Sequence, residues 1–233
     1  MYPMMFKKKW KGSNMKRQLL LMLIVMFYAV GSYSQTDTSF WFAAPAVTVG
    51  HENKPIVFRM ATYSQPADIA ITEPANPSFT PVLLHLNSNS ATTVDLTTQL
   101  NAIENKPGNT ILNYGIKIVS TTNISAYYEV GRTNNPEIFP LKGQIAMGLA
   151  FLIPMQTRFD NHTPHTPPAH NGFAIVATED NTVVTITNSN TDSAGHTANS
   201  PFNITLQKVC KEKKINPNKP NSIFKPPFFV KKF

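Results

Sequence analysis

The chain has 233 residues, of which 42% are hydrophobic, so it is long and apolar enough for one large or two small domains and is not a disordered or collagen-like polypeptide. Its net charge of +8 is concentrated in the two ends: residues 36–206 carry seven basic and twelve acidic side chains, which argues against nucleic-acid binding. The single cysteine, Cys210, excludes an internal disulfide, so stability depends on a packed core.

The N-terminal segment has the three parts of a secretory signal. Six Lys and Arg side chains precede an apolar run of twelve residues at 19–30, and small residues follow at 31–34. Such a run is too short for a bilayer core, which needs about 20 residues, but it matches the apolar region of a signal peptide. We therefore predict a signal peptide at residues 1–35, cleaved near Ser34 or Gln35, and no stable transmembrane segment after cleavage. The alternative is an uncleaved anchor or a buried helix.

Short β-rich runs, separated by turn residues, then recur along the chain. They follow a Phe-Trp-Phe cluster at 40–42, which we expect to pack under the first sheet as part of the core. One window, 94–103, has helical spacing and predicts a single turn or a short helix. The predicted strands are 55–62, 67–72, 80–86, 91–96, 110–120, 124–130, 145–153, 172–178, 182–187 and 202–206. This pattern predicts an all-β fold with antiparallel, β-sandwich-like sheets; two sandwiches, one large sandwich and part of a propeller all fit.

One plan of strand, turn and strand occurs twice in the sequence. Residues 172–187 predict a β-hairpin around the turn Glu179–Asn181, because Val, Ile and Thr suit a pleated sheet and acidic and Asn side chains suit a reversal. Residues 57–72 repeat the plan, and a further β-rich run follows each copy, at 82–86 and 202–206. We interpret this as an internal duplication with a period of about 115 residues, longer than solenoid repeats of roughly 20 to 50.

The last segment, residues 208–233, is basic and rich in Pro, Lys and Phe. It shows no strand alternation, so we expect it to lie outside the sheets of a domain at 36–207. The second copy of the plan stops after its third run, whereas the first continues to Val130. One interpretation is a frameshifted or prematurely ended reading frame. The other is a genuine basic tail that binds an acidic partner.

Four runs resemble the IgGFc-binding protein N-terminal domain family, in particular its bacterial members in secreted surface proteins of Bacteroidetes. They are Phe40–Ala43, Gly115–Ser120 with Ile124–Tyr128, Ala150–Pro154 and Phe173–Ile186, and their order and spacing carry the resemblance. It spans about residues 37–207 and implies a β-rich extracellular module used in adhesion or surface assembly. It brings no catalytic motif. Immunoglobulin binding is not carried over, because it belongs to a mucus protein of animals.

Three histidines, His162, His165 and His170, lie close to Asp160 in a stretch that resembles a metal site. Imidazole nitrogens suit zinc and copper. The prolines between them forbid a helix that would hold them on one face, so a solvated, extended loop is the favoured interpretation. We therefore predict no metal site and keep the histidines as weak candidates.

The neighbouring carboxylates Glu179 and Asp180 suggest acid–base chemistry, or calcium binding if Gln65 and Asp68 converge on them. Adjacent side chains of a hairpin point apart, so ordinary turn chemistry is favoured. The sequence has no Gly-x-Ser-x-Gly elbow and no phosphate-binding glycine loop. We expect no catalytic residues and no cofactor.

Together these features predict a secreted, cell-surface adhesion or binding module without catalytic activity, whose partner is an extracellular protein or glycan. One alternative is a structural spacer within a larger surface protein. Another is a carbohydrate-active enzyme with carboxylates brought together from distant strands.

Overall fold

The structure is a computed structural model that describes residues 35–46, 56–131, 137–154, 172–208 and 228–230. The predicted signal peptide, the histidines of 160–170 and Cys210 lie outside these residues. The described residues belong to one compact unit, 35–233. Within them, no helix has the length and apolarity that a membrane crossing requires.

Strands dominate the described residues, which confirms the all-β prediction. The only α-helix among them is α1 (Leu100–Ile103), which follows a 3-10 turn at Thr97–Gln99, as predicted for the window 94–103. A second 3-10 turn spans Gly143–Ala146. The strands are β1 (Thr36–Pro45), β2 (Ile56–Thr62), β3 (Ala67–Thr72), β4 (Val82–Leu86), β5 (Ala91–Asp95), β6 (Glu104–Asn105), β7 (Gly115–Val130), β8 (Glu137–Pro140), β9 (Met147–Gly148), β10 (Ile175–Ala177), β11 (Thr182–Thr187), β12 (Pro201–Leu206) and β13 (Phe228–Val230).

The long strand β7 is the centre of an eight-stranded sheet, the main sheet. One edge of β7 pairs first with β3, at 117–120, and then with β2, at 124–130. Its other edge pairs with β1 and then with β8, both antiparallel. The predicted strands 110–120 and 124–130 are thus one strand, and the predicted gap between them is a shift of register opposite Asp37 and Ser39.

Both predicted hairpins are wrong in their pairing. β2 and β3 follow one another along the same edge of β7, and the intervening turn is tied to β7 because Thr122 Oγ1 donates a hydrogen bond to the Pro66 carbonyl at 2.9 Å. β10 and β11 lie in different sheets. The observed hairpins are β3–β4 and β11–β12. Residues 173–177 are all buried, so their continuous apolar run reflects a segment covered on both faces. A strand of a surface hairpin would instead have one face exposed to solvent.

Two other expectations need correction. The predicted strand 145–153 is instead the end of a 3-10 turn, the two-residue β9 and, from residue 149 on, a segment without regular structure. The tail was expected outside all sheets, yet β13 pairs in parallel with both β9 and β10. With the parallel pair β1–β6, these contacts also depart from a purely antiparallel fold.

The main core lies against the main sheet and is built around aromatic rings in tilted and edge-on contact. The rings of Phe42, Phe58, Tyr128 and Phe139 have centroids 4.5 to 6.3 Å apart. The Phe-Trp-Phe cluster forms part of β1 itself instead of lying beneath the sheet, and buried Trp41 confirms the core interpretation.

A second core joins β10 to the β11–β12 hairpin. Phe173, Ile175 and Ala177 pack there with Ile186, Ile204 and Leu206. The alternate residues Ala174 and Val176 belong to the main core. Because successive side chains of a strand point to opposite faces, β10 connects the two cores.

Candidate functional site

A groove with a volume of about 530 Å³ lies between the irregular segment 149–153 and residues 183–189, which belong to β11 and the loop after it. Phe173 and Ile175 of the second core also line it. We call it the apolar groove, because most of its lining is aliphatic or aromatic and none of its lining side chains is ionisable.

The rim of the apolar groove exposes large apolar side chains. Leu152 is 92% exposed, Leu149 61% and Val183 59%. Single exposed apolar residues are normal on a protein surface, but several beside one concave surface are typical of an interaction site. A groove lined mainly by apolar groups is also the usual form of a binding pocket.

The segment 149–153 is positioned at both ends by packing. Ala146 and Met147 pack against the main core, whereas Ile153 packs against the second core. Between them the Phe151 ring lies over Gly148, where an added Cβ would come within 3.0 Å of the ring. Glycine at 148 therefore permits the Phe151 ring to lie close to the backbone, in the position where it lines the groove.

A single carboxylate holds the start of this region to the main sheet. Asp37 Oδ2 accepts a hydrogen bond from the Gln144 N–H at 2.7 Å, and Asp37 Oδ1 accepts one from Thr38 N–H at 2.7 Å. Gly143 has φ +58°, and a side chain there would collide with Asp37. The turn that leads into the groove thus requires glycine both for its backbone and for space.

The far end of the groove continues into the loop 188–200, which is organised around the buried Asp192. Its carboxylate accepts hydrogen bonds from the Asn188 side chain and from the backbone N–H groups of Ala194 and His196, at 2.9 to 3.0 Å. It also contacts His196 Nδ1 at 2.7 Å. Burial opposes ionisation, but these contacts outweigh it and lower the pKa of Asp192 below its usual value.

The imidazole of His196 lies flat on Phe202 of β12, with ring centroids 3.7 Å apart and an interplanar angle of 6°. Phe202 packs in turn against the second core. The ring stack therefore joins the loop to the hairpin, whereas the contacts of Asp192 hold the loop together internally.

The structure supports the turn interpretation of Glu179 and Asp180. Asp180 Oδ1 accepts the Lys208 N–H at 2.9 Å, and the Thr182 hydroxyl donates to the Glu179 carbonyl at 2.7 Å. Asn181 adopts φ 54°, as expected for Asn in a reversal.

The calcium hypothesis gains no support from the described residues. Asp68 Oδ1 contacts His85 Nδ1 at 2.7 Å in the β3–β4 hairpin. In the described part of the chain, no three His, Cys, Asp or Glu side chains are grouped as a metal site. His162, His165 and His170 lie outside the described residues.

Sequence reasoning missed the residues that shape the groove. Leu149, Phe151 and Leu152 were assigned to a strand, because an apolar run without clear alternation does not show whether it is buried or exposed. Asp192 and His196 lie four residues apart in a polar loop, a spacing that becomes informative only once the loop is known to fold back on itself.

Comparison with known proteins bears on this same region. The family described as IgGFc binding protein matches residues 144–209, which include every residue that lines the apolar groove. This confirms the family resemblance over that segment, which is well under half of the chain. The runs at 40–43 and 115–128 lie outside the match.

None of the curated proteins matches the chain. A solved structure titled "Crystal Structure of Thermotoga maritima 1070" is similar at 16% sequence identity, over 46% of this chain and 97% of that chain. Its TM-score is 0.31, which is too low to support an argument about fold or function.

Proposed function

Because residues 144–209 match the IgGFc-binding protein family, we propose that the chain is an extracellular adhesion module that binds a protein partner through the apolar groove and has no catalytic activity. The observation that carries this proposal is the coincidence of the family match with the groove. The match begins at the turn held by Asp37 and ends just beyond β12, so it includes every residue of the second core.

The chemistry of the groove favours recognition over reaction. Its lining offers apolar surface and a few amide and hydroxyl groups, but no acid, base or thiol. Nearby acidic groups have structural roles: Asp180 binds the backbone at Lys208, and Asp192 holds its own loop. An uncharged, largely apolar lining suits a polypeptide better than a sugar, which presents a dense array of hydroxyl groups.

A secreted or cell-surface location follows from the proposed role and from the signal expected at residues 1–35. N-terminal sequencing of the exported product tests it: we expect a new N-terminus near Gln35. An exported chain that still begins at its first residues would contradict cleavage.

We also propose that the repeated strand plan arose by duplication. The hairpins that support this are β3–β4 and β11–β12, which differ from the two hairpins predicted at 57–72 and 172–187. Ala67 pairs with Leu86 in β3–β4, as Thr182 pairs with Leu206 in β11–β12, and each hairpin turns alternate side chains inward. An experimental structure in which the two hairpins do not superimpose with this register would contradict the duplication.

Binding by the full chain to a defined panel tests the function. The panel contains immunoglobulin G Fc, fibrinogen, collagen and mucin, with a glycan array and a set of glycosidase substrates alongside. We expect saturable binding to at least one protein, with no glycan turnover. Turnover of a glycosidase substrate, or binding to glycans alone, would contradict the proposal.

A further inference from the structure

We infer that the apolar groove receives its partner as an extended strand that adds to β11 along the edge with no partner strand among the described residues, an inference that rests on the proposed function. The occupant is a segment of a partner polypeptide with uncharged, alternately apolar side chains. Its backbone pairs with β11, and its apolar side chains enter the groove.

The pattern of lining residues places the groove at a strand edge. Successive side chains of a strand point to opposite faces, so a cavity over one face of β11 would be lined by every second residue. The groove is instead lined by every residue from Val183 to Ser189. No residue of β12 lines the groove, so the cavity runs along the edge of β11 that faces away from β12 and meets the backbone there.

That edge has no partner strand within the described residues. β11 pairs with β12 along one edge, over the whole length from Thr182 to Thr187, and the two form a two-stranded sheet. A two-stranded sheet is only marginally stable alone, and an edge of unpaired N–H and C=O groups is a template for a further strand. Addition of an extended peptide at such an edge is a general mode of peptide recognition.

The opposite wall defines the side chains that the added strand carries. Leu149, Phe151 and Leu152 face the groove from the segment 149–153, and no ionisable side chain lines the groove to compensate a buried charge. A charged side chain directed into it would lose hydration without gaining an ion pair. The groove follows β11 and the residues after it from 183 to 189, so the complementary segment has about six or seven residues at strand spacing.

A pair of synthetic peptides separates strand addition from simple apolar contact. The first is a blocked peptide of alternating threonine and valine with a lysine at each end. The second has the same side chains, but each threonine and valine nitrogen is methylated, so it has no N–H donors there. By isothermal titration against the full chain, we expect the first to bind and the second to bind at least tenfold more weakly, because several hydrogen bonds are lost.

Two variants test where the peptide binds. Leu152→Lys and Val183→Lys place a charge at the rim of the groove and should weaken binding of the unmethylated peptide about tenfold or more. Leu83→Lys is the matched control, because Leu83 is 78% exposed on β4, outside the groove, and it should leave binding unchanged.

Three results would overturn the inference: no binding of the unmethylated peptide, equal binding of the methylated peptide, or equal loss in the Leu83→Lys control. None of them decides the proposed function, which is tested by the panel of folded proteins. Conversely, strand addition to the peptide could be observed even if no protein of the panel binds.

Discussion

The main core and the second core differ in how their strands are enclosed. β7 in the main sheet has partner strands on both edges, and its inward side chains meet a cluster of four aromatic rings. In the second core, β11 and β12 pair only with each other within the described residues, and their hairpin covers a smaller apolar cluster. We infer from this difference that the main sheet supplies more of the stability, whereas the hairpin carries the proposed binding groove.

The largest expected effect separates the two cores by mutation. Phe58 is fully buried against Phe42 and Tyr128, so Phe58→Ala should lower the free energy of unfolding by about 3–5 kcal/mol. Phe202 is only partly buried, and Phe202→Ala should cost less and act mainly on residues 182–206. Denaturant titration combined with hydrogen exchange measures both effects. Equal, global losses would show that the two cores do not differ in stability.

Two buried carboxylates should give the two regions opposite responses to pH. In the main-sheet region, Glu73 is 4% exposed, and burial raises its pKa to about 8, although the Asn76 amide donates a hydrogen bond to it at 2.7 Å. Because folding raises this pKa, the folded state favours the neutral form of Glu73. Its contribution to stability is therefore fully present below the ordinary pKa of 4.5. This stability is then lost as pH rises towards 8, at up to ~1.4 kcal/mol per pH unit.

The Glu73→Gln variant checks this dependence. Its free energy of unfolding should not show the decline between pH 4.5 and 8 that the unchanged protein shows. The decline is measured by urea denaturation at a series of pH values. If variant and parent fall in parallel over this range, Glu73 is not the group responsible.

The junction between the two regions should depend on glycine at 143. Gly143→Ala should lower stability by ~2 kcal/mol or more, because it combines a positive φ with a collision against Asp37. Gly195→Ala isolates the backbone effect, since Gly195 has φ +88° with nothing near its Cβ position, and should cost ~1 kcal/mol. Gly172→Ala, with neither feature, should be close to neutral. Equal effects at 143 and 195 would exclude the contact with Asp37.

The most local of the expected effects on stability concerns the loop beside the groove. Asp192→Asn removes a charged acceptor of hydrogen bonds from Ala194 and His196, and should cost ~1–2 kcal/mol, confined to residues 188–200. Because the pKa of Asp192 is lowered, its contribution is present above the ordinary value of 3.8 and is lost as pH falls through the lowered pKa.

Hydrogen exchange of the loop at pH 7 and in acid measures this effect. Asp68→Asn is the control, because the Asp68 side chain is 73% exposed. Faster exchange at 188–200 in the control than in Asp192→Asn would contradict the role of Asp192.

The sequence predicts the strands better than their partners. The bounds of β3 and β11 agree with the predicted 67–72 and 182–187, because both strands are rich in β-branched residues and alternate more buried with less buried side chains. Pairing depends on contacts distant in sequence, such as Thr122 with Pro66, which local composition does not encode. Hence β2–β3 was misread as a hairpin.

Strands with two covered faces were the hardest to interpret. Residues 40–44 and 173–177 are buried throughout, so they lack the alternation that identifies a half-buried strand. The groove was missed for a related reason. Nothing in the residues Leu149–Ile153 distinguishes a strand in a core from an irregular segment that lines a groove.

The most direct test of the central claim is the affinity of the full chain for a partner from the protein panel, compared among Leu152→Lys, Val183→Lys and the control Leu83→Lys. These side chains are 92%, 59% and 78% exposed, so none of the changes should impair folding. We predict that the two groove variants lose at least tenfold in affinity, whereas the control binds like the unchanged chain. Full affinity in both groove variants would contradict the assignment of binding to the apolar groove.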